Sequence, residues 1–174
     1  MNPPSTDPTA AATVRQVLTF VIGEATYGID IPCVQEIRGW SPVTPLPQSP
    51  ADVLGVLNLR GAIVPVLDLR LKFGSANVQY TPVTVIIVVS VMAAKGQREF
   101  GMVVDGVSDV IDIAAQDVKQ APDMGGSTSG AYIRGLLPIA GRMVVLLDIE
   151  LLLGAEFSAT ATATATANAA IQAA

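Results

Sequence analysis

Residues 55–74, GVLNLRGAIVPVLDLRLKFG, align without a gap on residues 135–154, GLLPIAGRMVVLLDIELLLG. The alignment superposes Gly61 on Gly141, Asp68 on Asp148 and Gly74 on Gly154. A shorter match lays Tyr27–Ile37 on Phe100–Val110, keeping an aromatic–Gly start, Val34 with Val107 and Glu36 with Asp109. The offsets, 80 and 73, differ as an insertion between repeat parts requires. Two matches in the same order are the mark of a duplicated architecture, in which each half supplies one copy of a supersecondary unit.

Within each long match the pattern is strand, tight turn, strand, short helix. Leu57–Leu59 and Ala62–Leu67 are the strands, and Arg60-Gly61 is the turn, with Gly61 free to take positive φ and Asn58 closing hydrogen bonds inside it. Asp68 is placed to cap a one-turn helix that Gly74 ends, and Asp148 and Gly154 repeat those roles. The first half opens with Gln16–Ile22 and Tyr27–Ile31 as a hairpin. Pro32 then suits the first turn of a short helix carrying Val34 to Ile37, on which Val34 and Ile37 share a face. The second half opens with Val83–Val91 and Glu99–Val104, joined by a polar loop over 92–98 that is expected to be mobile. Short strands at this spacing favour sheets that close on themselves. The expectation is an all-β fold of two small barrels with short connecting helices, related by internal duplication. The barrels are drawn as two intertwined subdomains, roughly 15–80 and 81–154, of one domain between a loose leader, 1–14, and an Ala/Thr-rich tail, 155–174.

Several functions are disfavoured at once. The chain has no histidine, which removes the commonest general base and metal ligand. One cysteine, Cys33, permits neither an intramolecular disulfide nor a Cys-rich zinc site, which fits the cytoplasm. A net charge of −5 opposes nucleic-acid binding. The most apolar run, Val83–Ala94, is too short to span a bilayer as a helix, so no membrane insertion is expected. No glycine-rich phosphate loop is present. Asp68 and Asp148 are explained as caps, and nothing brings Asp30, Asp68, Asp105 or Asp148 into a shared carboxylate site. No catalytic residue, metal or cofactor is expected. Only 14% of the residues are charged, against about 25% in typical soluble domains, so the surface must be unusually apolar, as partner-binding faces are.

The segment VLGVLNLRGAIVPVLDLRLKFG, Val53–Gly74, resembles the most distinctive stretch of the chemotaxis coupling proteins, the CheW family. Thr19–Trp40 is similar to that family's opening, and Phe100–Ile113 to the start of its second half. The resemblance covers about residues 15–154 and implies a pair of SH3-like five-stranded barrels. It also implies a non-catalytic adaptor that binds a chemoreceptor's hairpin tip and the chemotaxis histidine kinase's regulatory domain, recruited from the cytoplasm to membrane-associated receptor arrays. Val34, Glu36, Ile37, Arg60, Gly61 and Val107 would face the receptor, with a receptor helix lying between the barrels. Lys119 and Met124 would face the kinase.

Each assignment has a plainer alternative: Arg60 as a solvated turn residue, Val34 and Ile37 as core, Lys119 and Met124 as loop. Trp40 and Cys33 read as core or half-buried. The rival reading for the whole chain is a ligand-sensing or enzyme-regulating β-barrel that binds a small molecule between its barrels. A remoter one is a carboxylate hydrolase, which loss of activity in Asp105→Asn would reveal.

Overall fold

The computed structural model describes residues 14–93, 96–122 and 132–153. These form two five-stranded sheets. In chain order the strands are β1 (Val14–Ile22), β2 (Ala25–Asp30), β3 (Val34–Gly39), β4 (Val53–Leu59), β5 (Ala62–Asp68), β6 (Val85–Ala93), β7 (Gly96–Val104), β8 (Gly106–Ala114), β9 (Ile133–Ile139) and β10 (Arg142–Leu147). A short helix, α1 (Leu69–Lys72), follows β5, and residues 149–153 are helical after β10.

Sheet A has the order β8-β1-β2-β10-β9 and sheet B the order β3-β6-β7-β5-β4. Each therefore joins the opening hairpin of one half to the last three strands of the other. Of the four joins between halves, β10 on β2 and β5 on β7 are parallel and β1 on β8 and β3 on β6 antiparallel, as are all pairs within a half. Neither sheet is drawn from 15–80 or 81–154 alone, because the two halves exchange hairpins.

Both sheets close on themselves in the same way. Past β3, Thr44 bridges to Val56 of β4, and past β8, Lys119 bridges to Leu136 of β9. Gly55 and Gly135, equivalent in the repeat, lie where the closing segment crosses. A Cβ on Gly55 would sit 2.0 Å from the Thr44 carbonyl oxygen, and one on Gly135 would sit 2.4 Å from a Val118 methyl. These are two SH3-like barrels.

The apolar runs now have a cause. β6 is buried on both faces: Ile86 and Val88 fill barrel B with Val66 and Val103, while Ile87, Val89 and Val91 face the other barrel. On β1, Val17 fills barrel A with Ile113, Leu137, Val144 and Leu146, while Leu18, Phe20 and Ile22 face barrel B. Alternate residues of one strand thus serve two cores, which is why period-2 polarity is absent there. The space between the barrels is itself the most extensive core cluster of the described residues, including Phe20, Ile29, Leu67, Ile87, Phe100 and Met102. Full burial of each such side chain contributes about 1.5–3 kcal/mol.

Two local expectations are corrected. Pro32 opens only a 3-10 turn, Ile31–Cys33, and Val34–Gly39 is strand β3, paired antiparallel with β6. The β-branched Val34 and Ile37 find hydrogen-bonding neighbours there that an isolated helical turn would lack. Between β6 and β7, pairing continues through Met92↔Gln97 and Ala93↔Gly96, so most of the loop expected over 92–98 is hairpin.

Candidate functional site

The turn between β4 and β5 carries Arg60 at φ +53 and Gly61 at φ +86. Two successive positive φ values are what the tightest hairpin turns require, and the right-handed twist of the flanking strands favours them. Ala140 and Gly141 repeat the conformation at φ +49 and +78. Asn58 accepts from the Gly61 amide through Oδ1 at 3.0 Å. Arg60 is thereby held at the tip with its side chain 88% exposed, and its Nη2 donates to Glu36 Oε2 at 3.1 Å. Glu36 is on β3 and Arg60 follows β4, the two edges of sheet B, so the pair spans the open end of the closed barrel. Arg38, two residues along β3, brings Nη1 within 3.6 Å of Glu36 Oε1.

The receptor-facing residues expected from the sequence are divided by the fold. Glu36, Arg60 and Gly61 come together. A register shift between Val34 and Glu36 separates Val34 from them: it pairs with Val89 and packs half-buried on the inter-barrel core. Strand alternation puts Ile37, 44% exposed, on the face opposite Glu36, so it shares no helical face with Val34. Val107 is on β8 of sheet A, opposite Phe20, and also packs on the inter-barrel core. The exposed apolar residue of β8 is Val110, the repeat mate of Ile37, which the Tyr27–Ile37 alignment already implied. Lys119 is an exposed residue whose backbone exchanges two 2.7 Å bonds with Leu136. Met124 and Gly154 lie outside the described residues.

The caps are present, and Asp68 does more than cap. Its Oδ1 accepts from the Arg70 amide at 3.0 Å and from Arg70 Nε at 2.9 Å, and its Oδ2 accepts from Arg70 Nη2 at 2.8 Å and Tyr80 Oη at 3.0 Å. Arg70 Nη1 donates to the Gln79 carbonyl at 2.7 Å and to Asp105 Oδ1 at 3.2 Å. Both Asp68 and Arg70 are buried, and the hydrogen bonds to Asp68 raise the guanidinium pKa above its ordinary value. The Tyr80 ring lies under Arg70 and stacks on Trp40 at 4.2 Å, and its phenol is raised by burial and then by the Asp68 charge. The sequence reading missed Arg70; a cation two residues after a capping aspartate, in an apolar segment, was the available signal. Gly74, at φ +94, ends the helix, its amide donating to the Leu71 carbonyl at 3.1 Å.

Asp148 accepts from the Leu151 amide at 3.1 Å and lies 3.5 Å from Arg134 Nη2. Arg134 Nη1 also donates to Asp30 Oδ2 at 2.6 Å, an oxygen that Arg15 shares. Two pairs of aspartates are thus brought together after all, but each is bridged by an arginine, Asp68 and Asp105 by Arg70, Asp148 and Asp30 by Arg134. In both pairs the carboxylate oxygens are taken up by guanidinium donors. An open cleft of about 500 Å³ lies beside the Arg134 network, lined among others by Arg15, Asp30, Cys33, Ser90 and Asp148. Burial, with the Asp30 charge second, pushes the Cys33 thiol up to about 11. Among the described residues no group of three His, Cys, Asp or Glu could hold a metal, and no helix is long and apolar enough to cross a membrane.

Fold and site together define a duplicated, hairpin-exchanged pair of SH3-like barrels whose sequence motif is spent on an exposed, ion-paired turn. The family description that matches is the CheW-like domain, over residues 16–157, and the chain belongs to that family. It is 45% identical over 142 residues to a chemotaxis protein CheW of Klebsiella aerogenes, covering 82% of this chain and 83% of that one. It is 38% identical over 136 residues to a chemotaxis protein CheW of Rhizobium meliloti, covering 78% and 85%. The solved scaffolding protein TtCheW of Thermoanaerobacter tengcongensis superposes with a TM-score of 0.69 at 28% identity, covering 78% of this chain and 89% of that one.

Proposed function

We propose that this protein is a chemotaxis scaffold that couples chemoreceptor cytoplasmic tips to the regulatory domain of the chemotaxis histidine kinase, acting in the cytoplasm at membrane-associated receptor arrays. It works by binding, without catalysis. The observation that carries this reading is the family match across residues 16–157, with the motif turn folded into the exposed Arg60–Glu36 pair. Residues 15–154 act as one binding unit. The receptor-facing set is Glu36, Arg60 and Gly61 at the mouth of barrel B, Ile37 on the outer face of β3, and Val34 and Val107 at the rims of the inter-barrel core. A receptor helix lays its apolar stripe along that rim, because the space between the barrels is already filled by the chain's own side chains. Lys119 and Met124 face the kinase.

The test is co-purification with a chemoreceptor hairpin fragment and, separately, with the kinase regulatory domain. Arg60→Glu is expected to abolish receptor capture and keep the fold; unchanged capture of both partners would refute the site. The open cleft beside Arg134 favours a second reading, a ligand-sensing barrel module. That reading requires a small molecule to shift the amide resonances of Cys33 and Ser90 in the absence of either partner.

A further inference from the structure

Glu36 pairs with two guanidiniums at the mouth of barrel B, alone among the carboxylates of the described residues there: Oε2 takes Arg60 at 3.1 Å and Oε1 takes Arg38 at 3.6 Å. Glu36 and Arg38 alternate onto the same face of β3, opposite Val88 and Ile86, whose side chains fill the barrel. Arg38 is 38% exposed, yet its Nε is buried and has no hydrogen-bond partner. A guanidinium offers five donors in a fixed fork, and one carboxylate cannot satisfy two such forks. The cluster keeps one uncompensated positive charge and a donor without an acceptor. A buried donor left unpaired costs about 1–3 kcal/mol, and the remainder of the Arg38 fork, 38% exposed, stays open to a further acceptor.

We infer that Arg38 and Arg60 form a clamp for a carboxylate side chain of the receptor tip, with Glu36 holding the two forks beside each other until it arrives. The inference rests on the receptor-facing reading above and adds the chemistry of the partner, an acidic residue, and a second cation that recognises it. Arg60 supplies an exposed fork on a turn; Arg38 supplies a half-sheltered fork on a strand, where a charge-assisted bond is less screened by solvent.

Binding of a chemoreceptor hairpin fragment is measured by calorimetry at several salt concentrations, for the full chain and for Arg38→Gln, Arg38→Lys and Arg60→Glu. Arg38→Gln is expected to weaken binding about tenfold and flatten its salt dependence, since one charge-assisted contact is lost. Arg38→Lys keeps the salt dependence while losing part of the affinity, because the charge remains and the fork does not. Changing the tip's acidic residues to amides one at a time should yield one variant whose loss is not additive with Arg38→Gln. If Arg38→Gln leaves affinity and salt dependence unchanged while Arg60→Glu abolishes binding, the clamp is refuted and the receptor-facing reading stands. If neither substitution matters, the receptor-facing reading itself falls.

Discussion

Arg60 and Glu36 are joined by a 3.1 Å ion pair that ties the β4–β5 turn to edge strand β3, and Arg60 makes that contact from a left-handed backbone conformation. A non-glycine residue held at positive φ costs about 1–2 kcal/mol, and such positions concentrate where a side chain is needed. An exposed pair returns at most about 1 kcal/mol of stability. Arg60→Gly should therefore leave the melting temperature unchanged or raise it slightly while abolishing receptor capture. Ala140→Gly, at the equivalent turn, should raise stability by up to about 1 kcal/mol and leave capture intact. Thermal melts and pull-downs of the two variants side by side separate function from folding; a large loss of stability in Arg60→Gly would show that the pair is structural instead.

Arg70 and Asp68 make the opposite kind of pair, buried and bidentate. Removing one partner of such a pair leaves an uncompensated buried charge, so Arg70→Met should destabilise by about 3–5 kcal/mol. Urea unfolding measures this. The double variant Arg70→Met with Asp68→Leu should recover part of the loss, because no buried charge is then orphaned.

Gly55 supports barrel closure through lack of a side chain. Its φ is +149, and an added Cβ would collide with the Thr44 carbonyl that closes sheet B. Gly55→Ala is expected to cost about 3 kcal/mol or more, since the obstructing atoms are backbone. Gly61→Ala, whose Cβ would meet open space, should cost only about 1 kcal/mol for its positive φ. Equal costs in urea titrations would refute this account of closure.

Cys33 gives the stability a defined alkaline dependence. Its folded pKa, about 11, is raised above the ordinary 9.0, so the folded state keeps a proton that the unfolded chain releases. The resulting stabilisation is complete below pH 9 and is lost as pH rises from about 9 to about 11. Cys33→Ala should flatten that window in unfolding experiments. Tyr27 and Tyr80, also raised by burial, titrate in both proteins and cancel in the comparison.

Much of the local structure was legible in the chain. The ungapped repeat identified the equivalent turns at Arg60-Gly61 and Ala140-Gly141 and the caps at Asp68 and Asp148, because turn glycines and capping side chains act on backbone within a few residues. The β3 segment was misread for the same reason: Pro32 does start a turn, but pairing with β6, a strand far along the chain, makes Val34–Gly39 extended.

Sequence alone determined the duplication, the all-β class and the motif turn, all of which depend on short-range chemistry. Tertiary structure decided that the halves exchange hairpins, that Val34 and Glu36 part company at a register shift, that Arg38 joins Arg60 at one carboxylate, and that Arg70 gathers Asp68 and Asp105. Those relationships exist only once each strand has chosen neighbours from the other half, and that choice is made by closing two barrels around a shared apolar core, for which no local pattern is a code.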